Sequence, residues 1–176
     1  MRVSICYTVI IVLRLDLIMY ILIDSNITTK DHIKNLIVLE FVQIDIPTFV
    51  SDGSEMTIIK GNIIELFKNN TFDIILQGCN CKHVMGVGLA HSLKKEYPEI
   101  YLQDKLATRY PGDILPVKTL NGIIINCYTQ IYPGRSRGYN NDTSNDRYKY
   151  IKECLTKVEE KYKGKKIGVP YIGAGY

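Results

Sequence analysis

Residues Gln77-Gly78-Cys79-Asn80-Cys81 run almost directly into Met85-Gly86-Val87-Gly88-Leu89-Ala90, with His83 between them. Two amides, two thiols, an imidazole and three glycines therefore share one short segment. It follows an apolar run, Phe72–Leu76, of strand character. It precedes a stretch in which Leu89, Ala90, Leu93 and Tyr97 recur at helical spacing. Backbone N–H groups at a helix start have no intrahelical partner and carry the positive end of the helix dipole. Glycine lets the chain turn there and lets a ligand approach the main chain. The chemistry this spacing suits is the binding of an anion such as a phosphate, without a charged side chain. Glycine pairs before helices also arise for steric reasons alone, so the argument needs a second loop.

That loop lies at the far end of the chain. Lys166-Ile167-Gly168-Val169-Pro170-Tyr171-Ile172 reads as a buried strand and is followed by Gly173-Ala174-Gly175-Tyr176. Two glycine-rich turns leaving the carboxyl ends of two parallel strands can grip a diphosphate from both sides, if the fold brings them together.

The elements that must position these loops alternate along the chain. Met56–Lys60 reads as a strand, Ile63–Asn69 as a short helix and Phe72–Gly78 as a strand. Pro98 ends the first long helical pattern and starts another through Leu106. Leu115–Thr119 and Gly122–Tyr128 read as strands joined at Asn121-Gly122. Tyr148, Ile151, Leu155, Val158 and Tyr162 step by three and four, which predicts a helix over Asn145–Lys163 closed by Gly164. The alternation gives an α/β class with a mixed sheet. Between Gln130 and Asn145 lies a polar loop carrying Tyr132, Arg135, Arg137 and Tyr139. It is either a cover that meets phosphate and stacks on a ring, or an exposed connection.

Composition narrows the function classes. The five cysteines, Cys6, Cys79, Cys81, Cys127 and Cys154, form neither a disulfide framework nor a paired zinc pattern, which fits a reducing, cytoplasmic setting. Cys79, Cys81 and His83 alternate along an extended segment, a poor arrangement for tetrahedral zinc, so no metal is expected. Residues 1–55 carry a net −3 and the remainder +7. Arg14 and Asp16 interrupt the apolar amino-terminal stretch, which argues against a membrane span. An isoelectric point near 8.7 is too mild to argue for nucleic acid.

Five blocks, taken in order, resemble the macro domains that bind ADP-ribose, and most closely the branch that processes ADP-ribose 1″-phosphate. They are Ile58-Ile59-Lys60-Gly61-Asn62-Ile63, Gly78-Cys79-Asn80-Cys81, Met85-Gly86-Val87-Gly88-Leu89-Ala90, Ile125-Asn126-Cys127-Tyr128-Thr129-Gln130, and Gly168-Val169-Pro170-Tyr171-Ile172-Gly173-Ala174-Gly175. The resemblance implies a three-layer α/β/α macro domain over residues 56–176, with a mixed, largely parallel sheet. Such domains continue past the last glycine run, so the resemblance also implies a domain incomplete at its carboxyl end. Because the pattern begins at Met56, residues 1–55 are expected to be either an extension packed on the domain or an upstream segment that is not translated.

The resemblance also assigns roles. Asn62, with Ile63 beside it, would contact adenine and Asn80 the distal ribose, with Gly61, Gly78 and Cys79 also among the ligand-binding residues. The Gly86-Val87-Gly88 loop would wrap the distal ribose and diphosphate and Gly173-Ala174-Gly175 would cradle the phosphates from the other side, with Met85, Leu89, Ala90, Pro170, Ile172 and Tyr176 also among the ligand-binding residues. Asn80 and His83 would carry catalysis, with no cofactor. Partners would be ADP-ribose, ADP-ribose 1″-phosphate or ADP-ribosylated protein.

Two departures qualify this. Gln77 stands where the branch often has His. Gln130 stands where related domains with a covalent mechanism have lysine, which argues against that route. A hydrolase of ADP-ribose 1″-phosphate or of ADP-ribosylated protein and a non-catalytic ADP-ribose reader both fit. A nicotinamide-dependent enzyme fits less well, because Gly86-x-Gly88 lacks the third glycine of the dinucleotide fingerprint.

Overall fold

The computed structural model describes residues 8–13, 56–170 and 172. The residues Tyr171, Gly173, Ala174, Gly175 and Tyr176, assigned above to the second loop, lie outside that set. The elements run β1 (Thr8–Leu13), β2 (Met56–Gly61), α1 (Ile63–Lys68), β3 (Ile74–Asn80), α2 (Gly88–Glu96), α3 (Pro98–Leu106), β4 (Ile114–Lys118), β5 (Ile123–Gln130), α4 (Ser144–Tyr162) and β6 (Ile167–Val169). The strands form one mixed sheet in the order β2-β1-β6-β3-β5-β4. Its parallel pairings are central, β3 with β5 and β3 with β6. The β1–β2, β1–β6 and β4–β5 pairs towards the edges are antiparallel.

The apolar runs of β3 and β5 are buried on both faces, as central parallel strands are. Because neighbours alternate between faces, Ile75 and Ile124 pack with Ile63, Phe67, Leu93, Tyr97 and Ile100 of the helical layer α1, α2 and α3. Ile74, Leu76, Ile125 and Cys127 turn the other way, onto Leu155 and Val158 of α4. The result is a three-layer α/β/α sandwich. Phe67 and Tyr97 meet edge to face with ring centroids 5.8 Å apart, which ties α1 to the α2–α3 junction.

Two local outcomes differ from the sequence expectation. β3 extends to Asn80, because its pairing with β5 continues past Gly78 to Asn80 opposite Gln130, with a bulge after Cys79. The β4–β5 connection spans 119–122 rather than a two-residue turn. Asn121 is committed to side-chain bonds, accepting from the Tyr97 hydroxyl at 2.9 Å and donating to the Lys68 carbonyl at 3.4 Å, and Gly122 alone takes positive φ. From the first 55 residues, β1 supplies a strand inside the sheet, between β2 and β6.

Candidate functional site

Strand directions decide which segments can share a site. β3, β5 and β6 run parallel; β1 is antiparallel to β6, and β2 antiparallel to β1, so β2 points the same way as the central strands. The carboxyl ends of β2, β3, β5 and β6 therefore emerge at one edge. Gly61-Asn62-Ile63, the Asn80–Gly88 loop, Gln130, Pro170 and Ile172 all lie along it, the usual place for ligands in open α/β sheets. Approach of the last segment to β3 is direct: a Cβ placed on Gly78 would lie 3.1 Å from Ile172 Cγ2 and 3.2 Å from Thr129 Oγ1. Gly78 is thus the residue that lets the chain leaving β6 settle against β3.

The Asn80–Gly88 loop is shaped from within. Asn80 Oδ1 accepts from Lys82 N at 3.1 Å and Val84 N at 3.2 Å, and Asn80 Nδ2 donates to the Val84 carbonyl at 2.8 Å. Only 7% of Asn80 is exposed, so its first task is to fold its own loop. Met85 and Cys79 sink into the core beneath the loop, while Val87 stands out, 60% exposed. Gly88 has φ +59, in the left-handed region that favours glycine, and nothing lies within 4 Å of a Cβ built on Gly86 or Gly88. At α2 the N-cap is Val87, which offers no side-chain acceptor. Asn62 caps α1 through its Oδ1 at 3.0 Å from Ile64 N, which leaves that oxygen one free lone pair.

The polar loop after β5 is held down. Arg147, in the first turns of α4, donates to the carboxylate of buried Asp142, to Gln130 Oε1 at 3.1 Å and to the Gly134 carbonyl at 2.7 Å. It also reaches the Tyr132 and Arg135 carbonyls at 3.3 and 3.1 Å. Tyr132 in turn meets Lys82 of the β3–α2 loop, whose Nζ is 5.2 Å from the ring centroid, and Arg137, whose Cζ is 4.1 Å away. The two loops therefore meet around one tyrosine bearing two cations. A depression of about 320 Å³ beside the start of α4 is lined by Ser136, Arg137, Gly138, Thr143, Ser144 and Asn145 and includes no residue of the β3–α2 loop.

Electrostatics in the segment favour inert thiols. Burial, with the Asp113 carboxylate next in effect, pushes the Cys81 thiol up to about 11, and burial raises Cys79 well above its ordinary value. Among the described residues, no three His, Cys, Asp or Glu side chains gather as a metal-ligand set. No described helix is long and apolar enough to cross a membrane. Gln77 is buried and donates to Asn126 Oδ1 at 2.5 Å, so it joins two strands instead of facing the loop.

Sequence reasoning overlooked three residues that organise this edge. Asp104 lies in α3, wholly buried, and accepts the Tyr128 hydroxyl; His83 Nδ1 is 3.1 Å from its other oxygen. No pattern marks Asp104 among the polar residues of α3. Arg147 and Asp142 were equally silent. The Thr143-x-x-Asp146 spacing beside them, by contrast, is a legible capping signal.

No protein-family model matches the chain. It is similar to the uncharacterized 17.5 kDa protein in the tk-vs intergenic region of Enterobacteria phage T4, with 34% identity over 131 residues, 66% of this chain and 77% of the phage protein. Among solved structures it is similar to the macrodomain of Thermus aquaticus DarG, at 20% identity and a TM-score of 0.46 over 57% of this chain. It is likewise similar to the macrodomain of Mycobacterium tuberculosis DarG, at 24% identity and a TM-score of 0.45 over 59% of this chain and 70% of that one. The chain spans 64% of the Thermus aquaticus structure.

Proposed function

The chain belongs to the family of the phage T4 17.5 kDa protein, and we propose that it is a macro domain that binds ADP-ribose and hydrolyses ADP-ribose 1″-phosphate to ADP-ribose and phosphate in a reducing cytoplasm. The observation that carries this reading is the amino end of α2. Its first N–H groups have no side-chain cap, Gly86 and Gly88 flank the cap with open space above them, and it follows β3 at the sheet edge towards which β6 also runs. An uncapped helix start with room in front of it is the arrangement an anion completes. In this reading the ligand-binding unit is residues 56–176, with the diphosphate between the Gly86-Val87-Gly88 loop and Gly173-Ala174-Gly175, and adenine beside Asn62 and Ile63. The terminal phosphate sits near Asn80, where main-chain N–H groups meet the developing negative charge.

The reaction is a displacement at phosphorus. A water oxygen bonds to the phosphorus, the bond from phosphorus to the 1″ oxygen breaks, and a proton passes by way of His83 to the leaving oxygen. Positioning and fixed dipoles supply most of the rate.

A second reading, a reader of ADP-ribose without turnover, draws support from Asn80 and Gln130, whose amide groups are already engaged by their own loops. Calorimetry with ADP-ribose and a phosphate-release assay with ADP-ribose 1″-phosphate separate the two. Binding with release supports the hydrolase; binding without release favours the reader; absence of binding removes both.

A further inference from the structure

Asp104 is 0% exposed, and among the described residues its carboxylate has two polar neighbours, one on β5 and one on the β3–α2 loop. One carboxylate oxygen accepts the hydroxyl of Tyr128 on β5. The other, Oδ2, lies 3.1 Å from Nδ1 of His83 in the β3–α2 loop. Both His83 Nδ1 and Asp104 Oδ2 are sealed from solvent; their 3.1 Å contact falls short of hydrogen-bond geometry, and neither atom has another partner among the described residues. A buried carboxylate left without a donor is costly, so these two atoms satisfy each other or nothing does.

His83 is held for that contact. Its backbone has φ +57, a conformation uncommon for a residue with a side chain, and its N–H donates to the Asn80 carbonyl at 3.2 Å. The His83 side chain is 22% exposed although Nδ1 is buried, so the exposure belongs to the rest of the side chain.

Resting on the hydrolase reading, we propose that Asp104 is a positioning residue for His83. Its carboxylate, steadied by Tyr128, fixes the neutral imidazole as the Nδ1–H tautomer and so reserves the lone pair of Nε2 for the proton transfer at phosphorus. A free imidazole has no such constraint, and an imidazole with its proton on the wrong nitrogen cannot accept at Nε2. The unit joins the β3–α2 loop, α3 and β5, so the geometry of the proton carrier is set by the sandwich rather than by the loop alone.

The test is nitrogen-15 NMR of the full chain, with its three histidines assigned through a His83→Gln variant, at a pH where the imidazoles are neutral. The expected wild-type result is Nδ1–H at His83; Nε2–H there overturns the proposal. In Asp104→Asn, with Tyr128 donating to the remaining oxygen, an amide N–H faces Nδ1 and the proton moves to Nε2. The same variant loses about 10²–10⁴-fold in kcat for phosphate release with KM little changed. An unmoved tautomer, or an unmoved kcat with a moved tautomer, overturns it. The wild-type spectrum decides even if that variant fails to fold. Should the wild type bind ADP-ribose yet release no phosphate, the hydrolase reading falls on its own, while the tautomer still decides whether Asp104 orients His83.

Discussion

The amino ends of α2 and α4 lie in the same kind of place, each following a loop that leaves a parallel strand, yet they spend their backbone donors differently. At α4, Thr143 accepts from Asp146 N at 3.1 Å while the Asp146 carboxylate accepts from Thr143 N at 3.0 Å, and Arg147 pins the loop in front. At α2, Val87 offers no acceptor and nothing lies within 4 Å of a Cβ built on the glycines on either side of it. A capped helix start has its donors satisfied internally and serves the fold. An uncapped one with open space holds a standing deficit that a ligand can meet, and the deficit is tolerable because water meets it meanwhile.

The largest effect that can break this comparison comes from Arg147. Asp142 is 0% exposed and takes the guanidinium on both oxygens, with Ile131 N as its other donor at 2.9 Å. Arg147→Ala leaves a buried charge unpaired and frees three loop carbonyls, and breaking such a pair costs about 3–5 kcal/mol. We expect a melting temperature lower by roughly 10 °C, from the usual relation for a domain of this size, seen by calorimetry. A shift of only a degree or two would mean that the loop is not held through this residue, and the contrast between the two helix starts would lose its structural half.

A gentler change turns the α2 end into a copy of the α4 end. Val87 already has the extended backbone of an N-cap, φ −142 and ψ 163, and is mostly exposed. In Val87→Asp, the carboxylate caps the first turn and stabilises the protein by about 1 kcal/mol, while it occupies the donors and repels an incoming diphosphate. ADP-ribose affinity should fall about tenfold or more as thermal stability rises. Stability and affinity moving in the same direction would show that ligand and cap do not compete for the same N–H groups.

How much of this was visible beforehand follows from the reach of each interaction. The α/β class, the Pro98 break, the helix after Thr143 and the two glycine loops come from periodicity and local breakers, which act within a few residues. The approach of Ile172 to Gly78 rests on strand direction and brings together residues nearly the whole domain apart in sequence. The resemblance assigns Asn80 to the ligand; its bonds to residues two and four positions on show that its amide is first a loop-former. The contacts of Asp104 with His83 and of Tyr128 with Asp104 span the sheet and a helix. Nothing about an aspartate between Gln103 and Lys105 announces that it will be buried.

The smallest effect sharpens the comparison at α4. The side chain and backbone N–H of Thr143 hold the Asp146 carboxyl below its ordinary value of 3.8. A carboxyl depressed in the folded state contributes stability that is present above the unfolded value and disappears as pH falls through the lower, folded one. Acid should therefore erode the capping box only below the ordinary carboxylate range. Asp113 titrates in the same window: burial pushes it up, but the Tyr110 N–H and the Lys157 ammonium outweigh that and leave it lowered. Thr143→Ala separates the two, because it removes the cap at a cost of about 1 kcal/mol and with it the Asp146 share of the acid dependence, while Asp113 keeps its own. Denaturant melts at neutral pH and in this acid window should show the variant's deficit shrinking as pH falls, since the wild type loses there what the variant never had. A deficit independent of pH would mean that the threonine acts by packing, and that the two helix starts differ less in their hydrogen bonding than the structure indicates.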